Sequence, residues 1–208
     1  MNRAWFFSLM MGVIWVCTSA NTLGADRGAE LYKICAACHG FKAEGNQASN
    51  SPSLSGQSRW YLERQVNNFR DGMRGNIAND PNGLRMAQMT QTLTSAEDVS
   101  DVVSYILTLP KANLVSTVSA DTDKGKTLYA TCAACHGANA EGNQALNAPA
   151  LVVLDDWYQL DQLQKFKDGR RGAHSNDIYG QQMAPMAKLL ADEQAMRDVV
   201  AYITSLAQ

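Results

Sequence analysis

The stretch Cys35-Ala36-Ala37-Cys38-His39 occurs a second time as Cys132-Ala133-Ala134-Cys135-His136. Two thiols three positions apart lie on one helical turn, so both can form thioethers to the vinyl groups of a haem. The His after the second Cys is then carried to the iron as a ligand. The pattern predicts two covalently bound haem c groups. The predicted attachment residues are Cys35, Cys38, Cys132 and Cys135, and the predicted metal ligands include His39 and His136.

Two other readings of a Cys-x-x-Cys pair are a zinc site and a redox dithiol. A zinc site would bring both pairs together as four ligands, and it would leave the matching His in each copy unexplained. A thioredoxin-like dithiol normally occurs once, close to a βαβ pattern, and no such pattern is evident. Haem attachment is therefore the favoured interpretation.

The motif belongs to a longer internal repeat. A shift of 97 residues, the separation of Cys35 and Cys132, aligns the two halves of the 208-residue chain without a gap. The segment 43–48 reads the same as 140–145, and further matches run as far as the Tyr-Ile pairs at 105 and 202. Solenoid repeats have periods of about 20–50 residues, so this period indicates a duplicated small domain.

The first 25 residues are typical of a secretory signal peptide. Arg3 gives a positive start, the segment 5–17 is apolar and uncharged, and cleavage is expected after Ala25, with Gly24 and Ala20 as the alternatives. An uncleaved membrane anchor is the alternative, although the apolar run is shorter than the ~20 residues that a span needs. The mature protein is expected in the periplasm. Cys17 would leave with the leader, so no thiol remains for a disulfide.

The charge of the chain is nearly balanced, with 18 basic and 20 acidic residues and a formal net charge of −2. A nucleic-acid-binding protein normally carries a basic patch, so nucleic acid is not an expected partner.

The periodicity predicts an all-α fold of two tandem domains. Helices are expected around each motif (28–38 and 125–135) and in the middle of each half (58–71 and 156–168). Thr94 and Glu97 read as a capping box that starts the last helix of the first half, followed by apolar positions at i, i+3, i+4 and i+7. The predicted organisation is a leader (1–25), a first haem domain (26–110), a linker (111–123) and a second haem domain (124–208).

A second axial ligand is needed for a low-spin electron carrier. Apart from the motif histidines the chain has only His174, which reads as an exposed loop residue, so methionine is the better candidate. Both halves offer two methionines in a segment expected to be a loop before the last helix. These are Met86 and Met89 in the first half and Met183 and Met186 in the second, and the repeat does not choose between them.

Each half resembles a class I cytochrome c domain, with a helix, Cys-x-x-Cys-His-Gly, a Pro-containing loop, a middle helix, a Met segment and a final Tyr-bearing helix. Two such domains after a signal peptide resemble the cytochrome c4 family of dihaem carriers. In that family the ligand Met precedes the Leu that opens the last helix by seven positions. The resemblance therefore implies Met86 and Met183, with Met89 and Met186 as the alternatives.

The resemblance also implies the surroundings of each haem. The carbonyls of Pro52 and Pro149 would accept the Nδ1 proton of the proximal His. The remaining implied contacts are aromatic residues that border the haem or bind a propionate, and arginines that either neutralise propionates or end a solvated helix. They are Trp60, Tyr61, Trp157, Tyr158, Arg74 and Arg171.

The implied function is electron transfer without catalysis. Expected partners are redox proteins, namely a quinol-oxidising complex, a terminal oxidase or a dehydrogenase, and peripheral association with a membrane is possible. One alternative is the dihaem subunit of a larger, flavocytochrome-like dehydrogenase. The other is a dihaem peroxidase, which would need a haem with an open ligand position; the duplicated methionines argue against it.

Overall fold

The computed structural model describes residues 20–207, and it describes side chains from Asp26 onward. The apolar run of the predicted leader, 5–17, therefore lies outside the described residues. Within the described part of the chain, no helix is both long and apolar enough to cross a membrane.

Within residues 20–207, each half contains four α-helices, and the two sets follow the repeat. Single 3₁₀ turns at Gln47–Ser49 and Gln144–Leu146 lie in the loop after each motif. The first half contains α1 (Ala20–His39), α2 (Arg59–Arg70), α3 (Pro81–Thr90) and α4 (Ala96–Ile106). The second half contains α5 (Thr122–His136), α6 (Asp156–Asp168), α7 (Ile178–Lys188) and α8 (Glu193–Ser205). The predicted all-α fold with two tandem domains is confirmed.

The first and last helices of each half pack against one another, α1 on α4 and α5 on α8. Their backbones approach so closely that a Cβ on Gly28 would overlap the Asp101 carbonyl, and one on Gly125 would overlap that of Asp198. Glycine is needed at both crossings for this reason. The apolar faces of these helices form one core per half, so the motif at the end of α1 or α5 is held against the last helix.

The start of α4 differs from the predicted capping box. The N-cap is Ser95, whose side chain accepts from the Asp98 N–H at 3.0 Å. Thr94 lies one residue earlier, and its N–H and hydroxyl both donate to the Asp98 carboxylate at 3.0 Å. The helix therefore begins at Ala96, because the Ser95 side chain accepts from one of its first N–H groups and the Asp98 carboxylate holds Thr94 just before the cap.

The methionine segments are helical, so the expectation that they form loops was wrong. Asp80 and Asp177 cap α3 and α7 by accepting from the N–H of Gly83 and Gly180. These cap bonds let a short helix form although α3 contains a glycine and α7 contains Pro185. Met86 and Met89 share one face of α3, since residues three apart are neighbours on a helix.

The connection between the halves is extended and is anchored to both of them. The Ala112 N–H donates to Ser55 Oγ at 2.9 Å, and the Val118 N–H donates to Asp156 Oδ2 at 2.7 Å. The side chain of Val118 is buried in the second core. Helix α5 begins at Thr122, two residues before the predicted start of the second domain at 124.

Candidate haem sites

A cleft opens beside the motif of the first half and spans about 1400 Å³ together with the open solvent at its mouth. Cys35, Cys38 and His39 line one side of it, since they occupy the last turn of α1. Most of the remaining wall is apolar. It includes Leu54, Leu62, Val66, Phe69, Leu93 and Val102.

A cleft of about 1300 Å³ lies at the matching place in the second half. Cys132, Cys135 and His136 line it from the last turn of α5, together with Leu151, Leu163, Phe166, Leu190 and Val199. The two Cys pairs therefore face separate clefts and do not form a four-cysteine site. Two thiols and one imidazole at the rim of an apolar cleft fit a covalently attached haem.

The proximal imidazoles are held in a defined tautomer. His39 Nδ1 lies 2.8 Å from the Pro52 carbonyl oxygen, and His136 Nδ1 lies 2.8 Å from that of Pro149. A carbonyl can only accept, so Nδ1 carries the proton and Nε2 keeps its lone pair for a metal. Burial also lowers the pKa of both histidines, with the carbonyls partly opposing it. The neutral, metal-binding form is therefore favoured, and the predicted Pro contacts are confirmed.

A compact loop positions each proline carbonyl next to its histidine. The Gly45 N–H donates to the His39 carbonyl at 2.9 Å, and the Leu54 N–H donates to the Ala43 carbonyl at 2.9 Å. The buried Tyr32 hydroxyl donates to the Gly40 carbonyl at 2.8 Å. The second half repeats all three contacts through Gly142, Leu151 and Tyr129. The sequence folds in this way because Gly40 and Gly45 adopt φ near +82° and +85°, a region that favours glycine.

All four candidate methionines line their clefts. Met86 and Met89 project from α3 into the first cleft, and Met183 and Met186 project from α7 into the second. Each cleft thus contains one imidazole and two thioethers. The choice within each pair stays a prediction.

Two of the four motif thiols, those of Cys35 and Cys132, lie in surroundings that favour the protonated form. Burial raises the pKa of Cys35 to about 11, and it also raises the pKa of Cys132. A low-pKa thiolate is the hallmark of a redox dithiol, so these thiols do not have that character.

The two clefts share one wall, which is a hydrogen-bonded network between the halves. Arg74 donates to the Tyr158 hydroxyl at 2.8 Å and to Gln162 Oε1 at 2.7 Å. Arg171 makes the matching contacts to Tyr61 (3.1 Å) and Gln65 (2.9 Å). Both arginines are buried, so the alternative that they end solvated helices was wrong. The two tyrosines and the two glutamines line both clefts.

The tryptophans occupy a different position from the one expected. Among the described residues that line the clefts are Tyr61 and Tyr158, but neither Trp60 nor Trp157. The ring of Trp60 instead lies 4.8 Å from the guanidinium carbon of Arg64, a cation–π contact. His174 is half-buried, and its Nδ1 accepts from the Asn176 N–H at 3.1 Å.

At least three contacts between the halves are not reproduced identically under the repeat. Lys165 forms a buried ion pair with Asp80 at 2.9 Å, whereas the matching residue Asn68 donates to Asp177 at 3.4 Å. Arg64 donates to Asn147 Oδ1 at 3.1 Å, and its repeat partner is an aspartate. The third contact joins Asp155 to the Ser53 N–H at 2.7 Å.

Sequence reasoning missed most of this shared wall. The repeat carried a signal for Gln65 and Gln162, and for Asp80 and Asp177, because both members of each pair are identical. It carried no signal for Lys165 and Asp155, since their repeat partners are Asn68 and Ser58.

The comparisons with known proteins agree with this architecture. The family model for cytochrome c matches residues 25–110 and again 122–207. A cytochrome c4 of Azotobacter vinelandii is 29% identical over 99% of this chain and 100% of its own length. The crystal structure of reduced recombinant cytochrome c4 from Pseudomonas stutzeri superimposes with a TM-score of 0.66 at 26% identity, covering 86% of this chain and 96% of that one.

A larger protein shows the same fold over part of its length. The chain matches a thiosulfate dehydrogenase (TsdBA) from Marichromatium purpuratum with a TM-score of 0.69 at 26% identity, covering 86% of this chain but 40% of that one. Full-length agreement is thus found with cytochromes c4, which are electron carriers and not enzymes. With two matched domains, each containing one Cys-x-x-Cys-His motif, the chain belongs to the cytochrome c family and is a dihaem electron carrier of the cytochrome c4 type.

Proposed function

We propose that the mature protein is a periplasmic carrier that passes electrons from a respiratory donor complex to a terminal oxidase or another acceptor. The proposed leader, 1–25, directs export, and each haem, when bound, supplies one reversible one-electron couple. The observation that carries the proposal is the donor set: each cleft is lined by an imidazole with a free Nε2 and by thioethers.

The proposed axial pairs are His39 with Met86 and His136 with Met183. The Pro52 and Pro149 carbonyls hold the imidazole rings through Nδ1, so Nε2 would be available to bind the iron. A thioether from the short capped helix would supply the second ligand. With an imidazole and a thioether both bound, a haem held here would have no position free for a substrate, and the apolar walls would limit its contact with water.

The shared wall favours a role that uses both haems together. Tyr61, Gln65, Tyr158 and Gln162 line both clefts, so only one layer of side chains separates them. The buried Arg74 and Arg171 lock this layer by hydrogen bonds from both directions. An electron that enters at one half would therefore have a short path to the haem of the other half.

A second candidate function is supported by a solved structure among the comparisons. The match to part of a thiosulfate dehydrogenase chain favours a dihaem module that accepts electrons from a dehydrogenase. Isolation of the native protein from periplasm and membrane fractions separates the two functions. Recovery as a free single chain supports the carrier, and co-purification with a dehydrogenase supports the module.

The axial assignment is tested by the weak red absorption band that Met-to-iron(III) ligation gives. We expect this band in the oxidised holoprotein and a fall by about half in M86A, because one of two equivalent centres loses its thioether. M183A should produce the same loss from the other centre. The matched controls are M89A and M186A, which should leave the band intact.

Loss of the band in M89A would assign the ligand to Met89 and overturn the choice of Met86. A wild-type protein without the band, or one whose reduced form binds carbon monoxide at neutral pH, would overturn the carrier function itself.

A further inference from the structure

The peptide group between Pro52 and Ser53 is hydrogen-bonded at both ends. Its carbonyl accepts from His39 Nδ1 at 2.8 Å, and its N–H donates to Asp155 Oδ2 at 2.7 Å. Asp155 belongs to the other half of the chain. One amide therefore connects a carboxylate of the second half to the proximal imidazole of the first.

The carboxylate of Asp155 binds this peptide and does not cap its own helix. Asp155 is the N-cap residue of α6, yet its side chain makes no capping hydrogen bond to that helix. The Asp80, Asp177 and Asp192 carboxylates, by contrast, all cap their own helices. Burial raises the pKa of Asp155, and the Ser53 N–H partly opposes this. A carboxylate whose ionised form is disfavoured by burial is thus placed against one peptide of the opposite half.

The second half lacks a matching carboxylate. The Pro149 carbonyl accepts from His136 Nδ1 at the same 2.8 Å, so the imidazole side of the contact is identical. The residue that corresponds to Asp155 is Ser58, whose hydroxyl donates to Gln57 Oε1 at 3.3 Å. The proximal side of the two sites therefore differs by one negative charge.

A carboxylate that accepts from an amide N–H shifts electron density toward the carbonyl oxygen of the same amide, because the two ends share one resonance system. The carbonyl then becomes a stronger acceptor for the imidazole Nδ1–H, and the ring becomes a stronger electron donor to its metal. Stronger donation, like nearby negative charge, favours the oxidised over the reduced metal.

We propose that Asp155 is a positioning residue that acts through the Pro52–Ser53 peptide on His39 and lowers the reduction potential of the haem in the first half relative to the second. This inference rests on the proposed axial role of His39. Its consequence is directional: at equilibrium a single electron is biased toward the second half.

The test is D155N in the full-length holoprotein, with both reduction potentials measured by optical redox titration. Asparagine can still accept from the Ser53 N–H, so the substitution removes the charge and keeps the contact. We expect the equilibrium constant for electron exchange between the haems to shift toward the first half by about three- to tenfold, where tenfold equals about 59 mV for a one-electron couple. D155S, which installs the residue of the other half, should shift it in the same direction.

Two measurements show that the effect passes through the peptide. In the reduced, diamagnetic protein, the NMR signal of the His39 Nδ1 proton should move upfield in D155N, while that of His136 stays in place. The charge control is D156N, because Asp156 is the next residue but binds the linker N–H of Val118. In the titration, the reduction step of the second haem is identified as the one whose potential changes in the double variant M183A/M186A.

Unchanged potentials in both D155N and D155S would overturn the inference, as would an equal shift in D156N or a His39 proton that does not move. These outcomes differ from failure of the proposed function. In that case the wild-type protein itself would lack two six-coordinate, low-spin haems.

Discussion

The two clefts are alike in the residues that each half supplies to its own cleft. They differ in some of the residues that the opposite half supplies. Within each half, the motif, the proline carbonyl at 2.8 Å and the buried arginine are repeated. Some of the residues that reach across are not repeated: Lys165 faces the first cleft from the second half, whereas Arg64 faces the second cleft from the first. The residues that would attach each haem thus lie within one half, whereas the differences between the two clefts lie at the interface.

The largest expected effect comes from the buried ion pair that exists on one side only. In K165M, Asp80 keeps its bond from the Gly83 N–H but loses the ammonium group that faces it. An uncompensated buried charge costs about 3–5 kcal/mol, so we expect a loss of this size in the free energy of unfolding, measured with guanidinium. The matched control is N68A, which removes a single long bond to Asp177 and should cost about 0.5–1 kcal/mol.

The double variant K165M/D80N distinguishes the effect of the unpaired Asp80 carboxylate from the other effects of replacing Lys165. Without the charge on Asp80, the methionine no longer leaves a buried carboxylate unpaired, so the double variant should recover much of the loss. Burial alone would raise the pKa of Asp80, but Lys165 and the Gly83 N–H outweigh it and lower the pKa below its usual value. The contribution of the pair is therefore present near neutral pH and is lost as the pH falls through that lowered pKa. Equal costs for K165M and N68A would contradict the asymmetry.

An intermediate effect is expected from the arginines that the two halves share symmetrically. R74K and R171K each replace a planar fork that donates twice across the interface with a single ammonium group. Each should lower the free energy of unfolding by about 1.5–3 kcal/mol, since hydrogen bonds to charged groups are lost. Each arginine also lies 4.4 Å above a phenylalanine of its own half, so the packing environments match as well.

The comparison between these two variants is the informative measurement. Because the contacts of Arg74 and Arg171 are related by the repeat, the thermal unfolding midpoints of R74K and R171K should fall by similar amounts. A loss confined to one variant would show that the interface is not symmetric at its centre.

The same division between site and interface explains what the sequence could predict. The attachment residues, the proximal histidines and the Pro52 and Pro149 contacts follow from local spacing, so a motif read along the chain is sufficient to find them. The repeat then predicts the fold of each half. The helical state of the methionine segment was missed because it depends on the Asp80 and Asp177 caps, which hold short helices that contain a glycine or Pro185.

The interface could not be predicted because its contacts join residues about 80–110 positions apart, and no local pattern marks them. The pairing of Lys165 with Asp80 depends on how the halves dock. The extended linker is anchored to the second half by a further contact, in which Asp156 accepts from the N–H of Val118. A shift of 97 residues can show that Asp155 and Ser58 differ, but it does not show what either residue touches.

The smallest expected effect concerns the stability of the same residue that is proposed to tune the first haem. The pKa of Asp155 is raised by burial, so the folded protein binds a proton there more tightly than the unfolded chain does. The stabilisation from that proton is present at low pH and is lost as the pH rises through the raised pKa. D155N, which is neutral at every pH, should therefore be slightly more stable than the wild type at pH 7.

The gain should stay within about 0.5 kcal/mol, because the Asp155 side chain is half-exposed and solvent screens its charge. Thermal unfolding midpoints of both proteins, measured from neutral to acidic pH, should converge as the wild-type carboxylate becomes protonated. D156N provides the contrast, since it weakens the acceptor of the Thr117 and Val118 groups and should lose stability near neutral pH. A D155N protein that is clearly less stable than the wild type at pH 7 would mean that the Ser53 contact outweighs burial, and that Asp155 holds the two halves together as well as distinguishing them.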